Sequence, residues 1–180
     1  MSGAAGSSQW MYATGYEVGQ SLRLNDNADL TRTPGASNRR TYTLSAWIKR
    51  TGLMSASNCQ VSLLDVYVDT NNFTRIVIES DDQLQLLSRV GNQNKHFLKT
   101  SGKFRDPNAW YHIVVAIDTT DGTANDRGKI YINGVESTFE SRTNPDQNYE
   151  GHINAAVLHD IGKSTDREAT FTSTPPTRTP

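Results

Sequence analysis

The strongest signal along the chain is period-two alternation. Between residues 42 and 50, Tyr42, Leu44, Ala46 and Ile48 fall on one side, and Thr43, Ser45, Trp47 and Lys49 on the other. Successive side chains of an extended strand point to opposite faces, so the pattern predicts a half-buried β-strand. Residues 61–68 alternate too, with Leu64, Val66 and Val68 opposite Asp65 and Tyr67. Residues 74–80 place Ile76 and Ile78 inward, and 84–88 and 96–99 add two short strands. Residues 110–119 are apolar on both faces, which predicts a central strand covered on both sides. Residues 21–24 and 29–32 read as the first two strands and 157–161 as the last.

Turn residues separate these segments: Asn25-Asp26-Asn27, Pro34-Gly35, Asp81-Asp82 and Asp121-Gly122. Asn133-Gly134 lies between 129–132 and 135–139. That pair predicts a tight hairpin, because a type I′ turn needs positive φ at both central positions. No stretch carries a sustained helical period. Roughly ten short strands, with turns about every 8–12 residues, predict an all-β, antiparallel two-sheet sandwich. Leu44, Ala46, Ile48, Ile113, Val115 and Ile117 are expected between the sheets.

Length and composition refine this picture. The 180 residues suit one domain. Residues 1–20 are rich in Gly, Ser and Ala and read as a flexible arm. Trp10, Tyr12 and Tyr16 within it predict that part of the arm docks, either on the domain or on a neighbour. Residues 21–163 form the sandwich, and 164–180 a Thr/Pro-rich extended tail. The net charge of −1 comes with no basic stripe, which disfavours a nucleic-acid partner. The longest apolar run, 113–117, is far too short to span a membrane. Cys59 is the only cysteine, which excludes an intrachain disulfide and suits assembly in a reducing cytoplasm. The first residues lack the basic and apolar stretches of a secretory signal.

Five blocks together carry a family resemblance: QSLRLND at 20–26, LTRTP at 30–34, NRRTYTLSAWIKR at 38–50, FRDPNAWYHIVVAID at 104–118 and KIYING at 129–134. They resemble the laminin-G-like, concanavalin A-like jelly roll, in the version found in structural proteins of marine tailed phages. The resemblance spans residues 16–163. It implies a glycan-binding module, a protein-binding module, or a decoration or appendage domain of a virion. The family usually continues past the Ile161-Gly162 block with a glycine-containing aromatic strand. That strand is not recognisable here, which predicts an open sheet edge beside 21–24 and coverage of it by a neighbouring subunit or another virion protein.

Candidate chemistry is sparse. Laminarinase-type glycosidases of this fold carry Glu-x-Asp-x-x-Glu on one strand, the two glutamates serving as nucleophile and acid/base. The nearest match, Glu79-Ser80-Asp81-Asp82-Gln83-Leu84, has leucine in the second glutamate position and reads as a turn. The four histidines, His96, His112, His152 and His159, lack metal-ligand spacing. A sugar-binding face needs aromatic platforms with polar neighbours. Alternation puts Trp47, Asp65, Tyr67 and Glu79 on non-core faces as the candidate set, with Trp47 alternatively packed beneath a loop or another subunit. Asp118, Asp121 and Asp126 follow the central strand and are the candidate calcium ligands at the sandwich rim, although the same residues also build plain turns. The expectation is a non-enzymatic virion surface protein, assembled in the host cytoplasm and oligomeric, that contacts other virion proteins. The alternative is a glycan-binding module for host attachment.

Overall fold

The computed structural model describes residues 21–24, 28–50 and 60–163. The predicted arm, the Thr/Pro tail, Cys59 and the unrecognised closing strand lie outside these residues. Eleven strands build two antiparallel sheets: β1 (Leu30–Arg32), β2 (Thr41–Lys49), β3 (Val61–Asp69), β4 (Asn72–Ile78), β5 (Gln83–Val90), β6 (Gln93–Lys103), β7 (Trp110–Asp118), β8 (Gly128–Ile132), β9 (Val135–Glu136), β10 (Phe139–Thr143) and β11 (His159–Ile161). The larger sheet has the order β1-β11-β3-β4-β5-β6-β10, and the smaller β2-β7-β8-β9. Among the described residues one 3-10 turn, Ala124–Asp126, interrupts the β structure. The predicted jelly-roll sandwich is the observed architecture.

The core lies between the sheets. Ile76, Ile78, Leu84, Leu86 and Leu98 of the larger sheet meet Ile113, Val115, Ile117 and Ile130 of the smaller one, and all are buried. Burying each such side chain stabilises the fold by about 1.5–3 kcal/mol. Leu44 and Ile48 pack against this cluster half-buried, because β2 is the outermost strand of its sheet among the described residues. The predicted register of β2 and β7 is therefore correct. Ile132 and Val135 pair across Asn133-Gly134, whose φ angles of +52° and +82° supply the predicted hairpin turn.

Three expectations are corrected. Residues 21–24 form no strand. Among the described residues the sheet ends at β1, and Leu24 lies against Gly162, where a Cβ would meet Leu24 Cδ1 at 2.3 Å. The open edge expected beside 21–24 is thus not a ladder of that segment. Residues 135–139 are not one strand either. Ser137 N–H donates to Ile130 O in the small sheet, and the next residue's carbonyl, Thr138 O, accepts from Ser101 N–H in the large one. The chain changes sheet between them. Finally, β7 is covered on one face only: Ile113, Val115 and Ile117 are buried, whereas Val114 and Ala116 are half-exposed.

Loop 144–154 packs over one end of the sandwich. Thr74 Oγ1 lies 2.6 Å from Ser88 Oγ, which lies 2.9 Å from the Tyr149 hydroxyl. His152 N–H donates to Thr74 Oγ1 at 3.1 Å. The loop reaches the end of β7 through Asn148 N–H to Thr119 O at 2.7 Å, and Arg127 Nη1 donates to Pro145 O at 2.9 Å. These bonds fix the rim that borders the outer face of the small sheet.

Candidate binding face on the four-stranded sheet

The pairing of β2, β7 and β8 decides which outward side chains become neighbours. From one end to the other the rows are Lys49–Trp110, Trp47–His112, Ser45–Val114–Tyr131, Thr43–Ala116–Lys129 and Thr41–Asp118. Directly opposed side chains on one face of an antiparallel pair lie close enough to interact. Trp47 stacks on His112 with ring centroids 4.9 Å apart and an interplanar angle of 19°. Ser45 Oγ sits 3.0 Å from His112 Nε2, and Asn133 Oδ1 accepts from His112 N–H at 2.8 Å. The Ser45 contact orients the imidazole ring, and the Asn133 contact anchors the backbone beneath it. The stack is not buried: Trp47 is 59% and Trp110 48% exposed.

The opposite end of the same face is acidic. A cleft opens over Thr41, Thr43 and Ala116, rimmed by Asp118, Asp121, Asp126 and Lys129. Asp118 Oδ1 accepts from Thr120 N–H at 3.0 Å, and Asp121 Oδ1 from Thr123 N–H at 2.7 Å. Asp126 Oδ1 pairs with Lys129 Nζ at 2.8 Å, and this contact raises the lysine pKa. The three predicted aspartates are brought to one cleft, each already engaged in a turn or an ion pair. Among the described residues no group of three or more His, Cys, Asp or Glu side chains is placed to hold a metal ion.

The four residues grouped for sugar binding do not converge. Only Trp47 lies on the small sheet; Asp65, Tyr67 and Glu79 belong to the larger sheet or its end. Asp65 is fully buried, opposite Arg75 in the ladder, with Arg75 Nε 3.8 Å from its Oδ1. Tyr67 stacks on Phe73 at 6.5 Å, and Arg75 and Arg89 lie over the Phe73 ring at 4.1 and 5.3 Å. Glu79 accepts from Gln85 Nε2 at 3.1 Å. Alternation correctly puts these side chains off the core, but off the core is not the same as in solvent. The sequence reading also missed His112 as the partner of Trp47 and Trp110 as its neighbour on the same face. The signal needed was the pairing of β2 with β7, two strands some sixty residues apart.

Of the other ionisable groups singled out in the sequence, Asp82 and His159 have partners within the fold. Asp82 N–H donates to Glu79 O, and Asp82 has a φ of +69°, so 79–82 is a turn. Arg50 and Arg105 bind the Asp82 carboxylate at 2.7 and 3.1 Å; despite its desolvation, these bonds hold its pKa below the usual carboxylate value. Leu84 points into the core, so the place of a second catalytic glutamate is filled by packing. His96 is buried against Gly128, and this burial, with Arg142 nearby, pushes its pKa down to about 3. His159 is held by Val157 O and Asn154 N–H at 2.8 and 3.0 Å.

Comparison with known proteins follows from this geometry. No curated protein sequence matches the chain. The fold is similar to domains LG4-5 of the mouse laminin alpha1 chain, with a TM-score of 0.51 and 12% identity, covering 82% of this chain and 36% of that one. Weaker likenesses are to a heptameric SAP-like pentraxin from Limulus polyphemus (TM-score 0.44, 17% identity, 81% of this chain and 68% of that one) and to the CBM40 of Ruminococcus gnavus IT-sialidase bound to alpha2,3 sialyllactose (0.49, 17%, 72% and 67%). Residues 19–174 match the Laminin_G_3 family profile. With most of its length inside that match and two sheets in the expected arrangement, this chain belongs to the concanavalin A-like lectin/glucanase superfamily.

Proposed function

We propose that this domain is a non-catalytic binding module that holds carbohydrate on the outer face of its four-stranded sheet. One observation carries the reading: the Trp47–His112 stack stands exposed beside a floor of small side chains. A large aromatic left half in water and stacked on a hydrogen-bonded imidazole presents a flat apolar surface, and pyranose rings offer a matching apolar face. The family's lectin-like character supports a binding role over catalysis. So do the turn at 79–82 and Leu84, which stands where a glycosidase strand needs its second glutamate.

Isothermal titration against glycans selected on an array tests this. Trp47→Ala should weaken binding at least tenfold while leaving the melting temperature within about 2 °C, since an exposed side chain contributes little to folding. A wild-type protein that binds no glycan, or a variant that keeps full affinity, would overturn the reading. Release of reducing sugar from β-glucans would overturn the non-catalytic part.

A second reading places this module on a phage particle, where the same face contacts other virion proteins. It is supported by the blocks at 20–26, 30–34 and 38–50. Mass spectrometry of purified particles and the identity of neighbouring genes test it.

A further inference from the structure

We infer that the ligand is an uncharged oligosaccharide laid along β7, and not an acidic glycan; this rests on the carbohydrate reading above. The outer face has two ends and a floor. At one end stand Trp47, His112 and Trp110; at the other, Asp118, Asp121 and Asp126. Four residues of an antiparallel strand separate His112 from Ala116, about 13 Å at the strand's rise per residue. One sugar ring does not bridge that distance, whereas a short chain of rings does. On β2 and β7 the rows between carry Ser45, Val114, Thr43 and Ala116, small enough to leave a path open, with Tyr131 and Lys129 flanking it on β8.

Charge selects the class. The face and its rim hold four carboxylates, of Asp118, Asp121, Asp126 and Glu136. They hold two lysine ammonium groups, of Lys49 and Lys129. The balance is 2 − 4 = −2. Lys129 is engaged by Asp126 at 2.8 Å, and Lys49 stands at the far corner beside Trp110. Arg127, behind the rim, gives its Nε and Nη donors to Asp121 O, Gly122 O and Pro145 O, and so faces the loop backbones. A sialyl carboxylate or a sulfate laid on this path meets like charge, whereas sugar hydroxyls donate to the carboxylate oxygens. Stacking at the Trp47 end supplies affinity, and the acidic end supplies the choice.

The test is titration calorimetry of the full chain against neutral hexose and N-acetylhexosamine oligosaccharides of two to five rings, and against their sialylated and sulfated counterparts. Affinity should climb with length and then flatten. Acidic counterparts should bind at least tenfold more weakly, with the gap shrinking in high salt. An Asp118→Asn, Asp121→Asn double variant should narrow that gap, and its melting temperature shows that it folds. Trp47→Ala should weaken both classes alike. Acidic glycans bound as tightly as neutral ones, with Trp47 still required, would overturn this inference and leave the binding function standing. Absence of binding to either class would overturn both.

Discussion

The two outer faces of the sandwich are built by the same alternation yet live in different surroundings. On the four-stranded sheet the outward row ends in an exposed tryptophan stack and an open acidic cleft. On the seven-stranded sheet the outward residues Asp65, Phe73, Arg75 and Val77 are buried, with charge set against charge and guanidinium over aromatic ring. Period two states which side chains avoid the core. Whether those side chains then meet water depends on what lies over the sheet, and no local pattern encodes that. A binding platform belongs on the face left open, since a ligand must displace only water there.

The sharpest way to break this contrast is to place the same charge on each face. Val77 and Val114 both point outward from central strands, but Val77 has no exposure and Val114 is half-exposed. Val77→Asp should cost more than about 4 kcal/mol, enough to abolish folding, because it buries an unpaired carboxylate. Val114→Asp should cost about 1 kcal/mol, the range spanned by strand propensity. Urea unfolding followed by circular dichroism reads both; equal losses would erase the distinction between the faces.

Carboxylates give the next largest effect. Asp65→Ala removes a buried carboxylate set against buried Arg75 and should cost about 3–5 kcal/mol, as expected when one member of a buried charge pair is deleted. Asp118→Ala, on the open face, loses the hydrogen bonds from Thr120 and should cost about 1 kcal/mol. Denaturant midpoints of the two variants compare them directly. Similar losses would mean that Asp118 is as deeply committed to the fold as Asp65.

Between the faces lies a third environment, probed by acid. His96 is buried in the core with its pKa lowered to about 3 by desolvation and by Arg142. The unfolded chain takes up that proton near pH 6.5, while the folded chain resists it until about pH 3. Stability therefore falls as pH drops through this window, by up to about 1.4 kcal/mol per unit. His152, also lowered chiefly by burial, adds in the same direction. The depressed carboxylates of Asp69, Asp81, Asp82 and Glu140 lose their contribution only at lower pH, from about 4 downward. Unfolding free energies at pH 7, 6 and 5 should thus show the histidine slope alone, and His96→Gln should flatten most of it. An unchanged slope would move the acid-sensitive group elsewhere.

Much of this architecture was legible from the chain. The inward rows of β2, β4 and β7 and the Asn133-Gly134 turn are local patterns, and the fold follows from them. Other features were not legible because their causes are distant in sequence. The sheet change at 137–138 depends on Ile130 and Ser101 claiming adjacent residues. Asp65 looked like an exposed ligand because the cation set against it, Arg75, comes from the next strand and is buried with it. That Trp47 and the aspartate cleft share one face follows from strand pairing, which also leaves Asp65, Tyr67 and Glu79 on the other sheet.

Gly128 carries a consequence for how this domain can change over generations. A Cβ there would sit 2.6 Å from His96 Nε2 and 3.1 Å from Leu98 Cδ1. The two sheets touch at this point with no spare volume, so a side chain at 128 is not accommodated while histidine stays at 96. A lineage that acquires alanine at 128 must first, or simultaneously, shrink the residue at 96. Descendants of this chain should show the two positions changing together, as one inherited unit that spans both sheets.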